Sequence, residues 1–245
     1  MAEYCCPPPP LPAVPVYGSD RVFGVHRIYC VGRNYAEHAR EMGASERDKP
    51  FFFCKPADAV LPLGGTADSI PFPGQTDDLQ HEVELVVALG DGGFRVGPEQ
   101  AVRMVWGYAV GLDMTRRDLQ ADMKRAGRPW EIGKAFDGSA PLGPIRPRGQ
   151  VGAADAGLVW LDVNGQRRQQ GNLSQMIWNV GEIISELSAY FRLAPGDLVF
   201  TGTPAGVGRL QPGDIIEAGI ERVGEIRAVI AAGPPSGPGL AGAAA

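Results

Sequence analysis

Residues 82–89 read Glu-Val-Glu-Leu-Val-Val-Ala-Leu, an apolar strand that opens with two carboxylates. Side chains alternate along a strand, so Glu82 and Glu84 point to one side and Val83, Leu85, Val87 and Leu89 to the other. Val86 and Ala88 continue the glutamate side, so that side is not simply a wet one. Neighbouring carboxylates repel, and burial makes each more costly. A divalent cation removes both costs, and hard cations such as Mg²⁺, Mn²⁺ or Ca²⁺ favour carboxylate oxygens. On its own the pair is equally compatible with a solvent-facing edge strand that ends in acidic residues.

Further strands are expected at residues 27–31, 50–55, 106–112 and 159–163, with two more within 214–230. Asn164-Gly165 marks a hairpin turn. Helices are expected at residues 34–42, with Asn34 as N-cap and Glu37 as its capping-box partner, and at 99–104. Another is expected at 115–126, capped by Thr115 with Asp118. The longest is expected at 174–191, with an apolar stripe of Ile177, Ile184, Leu187 and Phe191. Strands outnumber helices without regular alternation, so the expected class is α+β.

The 245 residues are enough for one large domain or two small ones, and 44% are hydrophobic, enough for a sizeable core. No long linker interrupts the middle, so residues 21–232 are expected to form a single catalytic domain. A proline-rich arm, residues 1–20, precedes it, and a low-complexity tail, residues 233–245, follows it and is expected to be disordered. No run of eighteen apolar residues is present, and the first residues lack the pattern of a secretory signal. No membrane association is expected. The net charge of −5 and the lack of a basic run interleaved with aromatics argue against nucleic acid as a partner. Cys5, Cys6, Cys30 and Cys54 match neither a zinc ribbon nor a disulfide scaffold; free thiols in a reducing cytoplasm are expected.

Several other residues could carry chemistry beside the two glutamates. Asp113 ends an apolar strand, a common place for a functional carboxylate, and could complete a three-carboxylate site; it could equally cap the helix after it. Arg117 and Gln120 are three apart on that helix and share a face suited to a carboxylate or carbonyl. His38 and Glu41 are three apart on a short helix between Gly32 and Gly43, an arrangement open to a general base on a lid or to a surface pair. Lysine is scarce here, and Lys134, in Trp-Glu-Ile-Gly-Lys-Ala-Phe-Asp, could stabilise an oxyanion; Lys55 is a weaker case of the same kind. The glycine-rich segment 201–208 could present backbone amides to an anion, with the Thr203 hydroxyl beside them, or be a plain turn.

Taken together, VGRNYAEHAREMG, FFFCKPADAV, HEVELVVALG, GYAVGLDMTRRDLQ, PWEIGKAFDGSAP and GDLVFTGTPAGVG resemble the fumarylacetoacetate hydrolase family, in the family's order. The likeness is to its short members, the acylpyruvases and fumarylpyruvate hydrolases. It implies a mixed β-roll with flanking helices, assembled as a homodimer. It implies Glu82, Glu84 and Asp113 as ligands of Mg²⁺ or Mn²⁺, with Ca²⁺ also accommodated. It implies His38 and Glu41 as a lid dyad, Lys134 beside the metal, and Arg117, Gln120 and Thr203 on the substrate, a small oxo acid. The implied reaction is hydrolysis of the C–C bond of a 2,4-dioxo acid, with fumarylpyruvate, an intermediate of aromatic (gentisate) breakdown, as the preferred substrate. Decarboxylation of oxaloacetate and isomerisation of an unsaturated oxo diacid would use the same metal site. A non-catalytic binding protein would be expected to lack some of these residues.

Overall fold

The computed structural model describes residues 4–35, 48–65 and 68–233. Its architecture is α+β, a curled mixed sheet with several short helices. The larger sheet runs Phe51–Lys55, Ile28–Gly32, Leu198–Phe200, Val83–Leu89, Val105–Leu112, Ala140–Leu142 and Val60–Pro62 in hydrogen-bonded order. Arg146–Pro147 also pairs with Val105–Leu112. A second sheet places Leu158–Val163 between Gln166–Asn172 and Ile215–Ile220, and continues through Gly224–Ala231 to Ser69–Pro71.

Strand alternation sorts the large sheet's side chains into two cores. Leu85, Val87, Leu89, Val110 and Val199 pack with Ile183, Ile184 and Leu187 of the helix Val180–Tyr190 and with the second sheet. Val86, Ala88, Ala109 and Phe200 pack on the opposite face with Val14 and Val25. All seven residues of Val83–Leu89 are buried, because the sheet is covered on both faces. Each fully buried Val or Leu contributes about 1.5–3 kcal/mol, so this central strand anchors whatever lies at its end. Val14 is fully buried although it lies in the proline-rich stretch: Ala13–Pro15 pairs with Val22–Gly24.

The helix expected at 34–42 lies largely outside the described residues, the one expected at 99–104 is shifted by one residue to Pro98–Arg103, and two others differ more. The helix expected at 115–126 begins at Arg117 and runs to Arg125, and among the described residues no side chain caps it. Thr115 and Arg116 instead pair as a short strand with Gln80 and Leu79. The Thr115 hydroxyl turns to Glu82 Oε1 (3.3 Å) and the Asp113 carbonyl (3.1 Å), and Asp118 accepts from Thr76 Oγ1 (2.6 Å) and the Asp77 amide (2.9 Å). Buried and tertiary partners outcompete the local capping box. The helix expected at 174–191 is confined to Val180–Tyr190, with a full capping box between Asn179 and Glu182. The residues before it are held by Asn34, whose carbonyl and side chain accept from the amides of Ile177 and Trp178, both at 2.8 Å. The expected strands are present with ends shifted by a residue or two, and Asn164 and Gly165 both have positive φ, as a tight primed hairpin turn requires.

Candidate metal centre and cleft

Glu82 sits at the break between Leu79–His81 and Val83–Leu89, and Asp113 directly follows Val105–Leu112. These strands are antiparallel, with Glu84 opposite Gly111 and the Asp113 amide donating to the Glu82 carbonyl at 2.9 Å. Three acidic side chains therefore arrive at one end of one strand pair. Glu82, Glu84 and Asp113 are at most 6% exposed, and each offers an oxygen within 4.8 Å of the others.

Cationic side chains approach from three directions. Lys134 Nζ donates to Glu82 Oε2 at 2.9 Å and to Asp113 Oδ2 at 2.7 Å. It comes from the short helix Glu131–Lys134, which packs closely because Gly133 has no side chain: a Cβ there would lie 2.9 Å from the Gln120 amide nitrogen. Lys55 Nζ lies 2.8 Å from Asp113 Oδ1 and donates to the carbonyls of Met114 and Lys134. Arg117 pairs with Glu82 Oε1 and is braced by Gln80 (2.8 Å) and Gln120 (2.5 Å).

The charges are shared unequally. Burial alone would raise the Glu82 carboxyl, but Lys134 and Arg117 overcome it and hold the group below the ordinary carboxylate range. Burial, reinforced by Asp113 and Glu82, pushes Glu84 well up, against the pull of the Gly202 amide and Lys134. Burial would lower Lys134, but Asp113 and Glu82 raise it.

This donor set fits a divalent cation. The oxygens are hard ligands, and Asp113 Oδ1 is buried without a directed hydrogen bond. Glu84 has the Gly202 amide as its hydrogen-bond donor, at 2.7 Å. A cation among the three would add to the Lys55 contact at Asp113 Oδ1 and offset the mutual repulsion of the carboxylates.

One backbone amide of the glycine-rich segment, that of Gly202, thus donates to a carboxyl group of the chain itself. Gly202 has φ +97°, and a Cβ there would lie 2.7 Å from Asn34 Cβ, so only glycine allows this approach. Beyond the carboxylates a cleft is lined by Arg117, Gln120, Lys134 and Thr203, and its outer wall carries Arg33, Phe51, Phe53 and Trp130. The Trp130 ring meets Phe51 edge-on at 5.5 Å and Phe53 at 6.3 Å. A polar floor with an aromatic wall suits a small charged molecule carrying a flat, unsaturated extension.

Of the candidate residues named from sequence, Glu82, Glu84, Asp113, Lys134, Arg117, Gln120 and Thr203 line one cleft. Lys55 lies behind it, 2% exposed, against Asp113 and the Phe136 ring. His38 and Glu41 lie outside the described residues. Sequence reasoning missed three contributors. Asn34 donates to the carbonyls of Thr201 (2.8 Å) and Trp178 (2.9 Å) and ties the cleft's loops together. His81 is buried and bonded to Gln169 at 2.9 Å. Gln169 is fully buried in the otherwise exposed stretch Gln166–Gln170 because a bulge re-aims it: Leu161 faces Gln169, but Asp162 faces Arg167. No periodic signal marks such a residue; only the adjacency of His81 to Glu82 hinted at a role for the histidine.

The sequence profile of the fumarylacetoacetate (FAA) hydrolase C-terminal family matches residues 27–231. A solved fumarylpyruvate hydrolase from Pseudomonas aeruginosa, in complex with Mn²⁺ and pyruvate, is 51% identical. The match covers 94% of this chain and 100% of that one, with a TM-score of 0.92. A fumarylpyruvate hydrolase from Ralstonia sp is 43% identical over 73% of this chain and 91% of its own length. A mitochondrial oxaloacetate tautomerase of Mus musculus is 42% identical over 82% of this chain and 89% of its own.

Proposed function

This chain belongs to the fumarylacetoacetate hydrolase family of metal-dependent enzymes, and we propose that it hydrolyses the C3–C4 bond of a 2,4-dioxo acid, with fumarylpyruvate going to fumarate and pyruvate. The observation that carries this reading is the convergence of Glu82, Glu84 and Asp113 beside Lys134 at the base of a cleft with an aromatic wall. The likeness to a fumarylpyruvate hydrolase that binds Mn²⁺ and pyruvate supports the substrate.

Glu82, Glu84 and Asp113 would hold Mg²⁺ or Mn²⁺. Such an ion supplies Lewis acidity where negative charge develops on the 2-oxo oxygen. Lys134, positively charged between Glu82 and Asp113, adds a fixed donor to the same place and favours the enolate of the departing pyruvate. Arg117 is oriented by Gln80 and Gln120 and already pairs with Glu82; its remaining N–H donors suit a substrate carboxylate. His38, which the family resemblance pairs with Glu41, would take a proton from water; the oxygen bonds to C4, and the C3–C4 bond breaks with its electron pair going to C3. The resulting enolate takes up a proton at C3, giving pyruvate and the free acid of the acyl group.

A second reading follows from the oxaloacetate tautomerase relative. Moving a proton between the keto and enol forms of oxaloacetate needs the same enolate stabilisation and a base, but no bond to water. Product analysis separates the two. Fumarylpyruvate, acetylpyruvate and oxaloacetate are incubated separately with enzyme and Mn²⁺. Fastest release of fumarate and pyruvate supports the hydrolase; enolisation or CO₂ release from oxaloacetate with no cleavage of either acylpyruvate overturns it. His38→Ala is expected to keep affinity for Mn²⁺ and oxalate while losing hydrolysis, and equal loss of both would place His38 elsewhere.

A further inference from the structure

Thr203 is 2% exposed and lines the cleft beside the carboxylates. A threonine hydroxyl can in general donate one hydrogen bond and accept two. Here its donor capacity is already used. Thr203 Oγ1 lies 2.8 Å from the Val83 carbonyl, which can only accept, so the hydroxyl proton points there.

One of its two lone pairs is also used. Gln169 Nε2 lies 2.8 Å from Thr203 Oγ1 and 2.8 Å from the Pro204 carbonyl. The orientation of this amide is not ambiguous. Pro204 O can only accept and so identifies the nitrogen, while the Val83 amide, 3.1 Å from Gln169 Oε1, can only donate and so identifies the oxygen. His81 Nδ1 completes the set at 2.9 Å from the same oxygen and must carry a proton. All four hydrogen-bonding positions of Gln169 are filled, and the polarity of the chain from His81 through Gln169 and Thr203 to Val83 is settled.

We infer that the Thr203 hydroxyl serves the cleft only as a hydrogen-bond acceptor, and so receives an O–H donor and not a carboxylate. One lone pair is all it has left to offer. A substrate carboxylate must then be held by Arg117 or other donors, while Thr203 meets either the hydroxyl of an enol or hydroxy acid, or a water molecule. This rests on the reading of the cleft as an oxo-acid site, and it deepens that reading by separating the group that binds the anion from the group that senses a protonated oxygen.

The test uses Mn²⁺-loaded wild type, Thr203→Val and Thr203→Ser, with affinities measured by calorimetry. Oxalate at neutral pH offers only acceptors; glycolate offers a carboxylate and an O–H. Thr203→Val is expected to bind oxalate within about twofold of wild type. If the donor is a substrate hydroxyl, its glycolate affinity falls about fivefold or more, the loss expected for one hydrogen bond, and Thr203→Ser restores it. If the donor is water, both affinities hold and turnover falls about tenfold, again restored by serine. Turnover is followed on whichever oxo acid the wild type consumes, so failure of the fumarylpyruvate assignment leaves this test intact. Loss of oxalate affinity beyond that range overturns the inference, as does unchanged glycolate affinity together with unchanged turnover. If valine is not tolerated in the fold, Thr203→Ala removes the same hydroxyl and is read the same way.

Discussion

Lys134 Nζ lies 2.7 Å from Asp113 Oδ2, and both side chains are buried at the end of the central strand pair. Lys134 therefore offsets carboxylate repulsion as well as standing ready to stabilise charge in the reaction. Removing one member of a buried ion pair leaves its partner uncompensated and costs about 3–5 kcal/mol. Lys134→Met is expected to lower the unfolding free energy of metal-free protein by an amount of that order, with Mn²⁺ recovering part of it. Urea titrations with and without Mn²⁺ measure both, and a metal-free loss below about 1 kcal/mol, the level of an exposed pair, would argue against this role.

Glu84→Gln separates metal binding from folding. Glutamine keeps an acceptor for the Gly202 amide, 2.7 Å away in the native protein, and removes one of three crowded carboxylates. Metal-free stability is expected to hold or rise, while Mn²⁺ affinity falls about 100-fold or more, at least the loss associated with removing a group that supports a ligand. Calorimetric titration with Mn²⁺ reads the affinity; an unchanged dissociation constant would remove Glu84 from the ligand set.

Asn34→Leu tests the tie between the end of Ile28–Gly32 and the loops around Trp178 and Thr201. The native side chain makes three hydrogen bonds in a fully buried position. Leaving buried groups unsatisfied costs about 1–3 kcal/mol each, so a loss of about 3 kcal/mol or more is expected in chemical denaturation. A value near zero would show that the loops are held by other contacts.

Thiol reactivity should follow burial. Cys5, Cys6 and Cys54 are exposed, desolvation raises the Cys54 thiol, and burial pushes the Cys30 thiol well up within the second core. Because the thiolate is the nucleophile, iodoacetamide is expected to label Cys5 and Cys6 first, Cys54 more slowly, and Cys30 only on unfolding. Mass spectrometry of the native protein during labelling checks the order, and early modification at Cys30 would contradict the packing.

Metal removal should be visible without any substrate. An ion that binds only the folded state stabilises it by about 2.7 kcal/mol at a concentration one hundred times its dissociation constant. The melting temperature is expected to rise with added Mn²⁺ and to return to its starting value with excess chelator. Glu84→Gln should flatten that response.

What the amino-acid order determined by itself was local. Strand alternation placed Glu82 and Glu84 on one side, strand ending placed Asp113, and Asn164-Gly165 marked its hairpin, because each depends on backbone geometry over a few residues. Tertiary structure decided the rest. Lys134 reaches Glu82 across 52 positions and Lys55 reaches the Lys134 carbonyl across 79, contacts no window of sequence contains. Thr115 gave up its capping role to face a buried carboxylate, and Asn34 held residues 177 and 178 out of the helix expected there. Gln169 turned inward through a one-residue bulge. In each case a buried polar group had to find a partner, and that requirement arises only once the chain has packed.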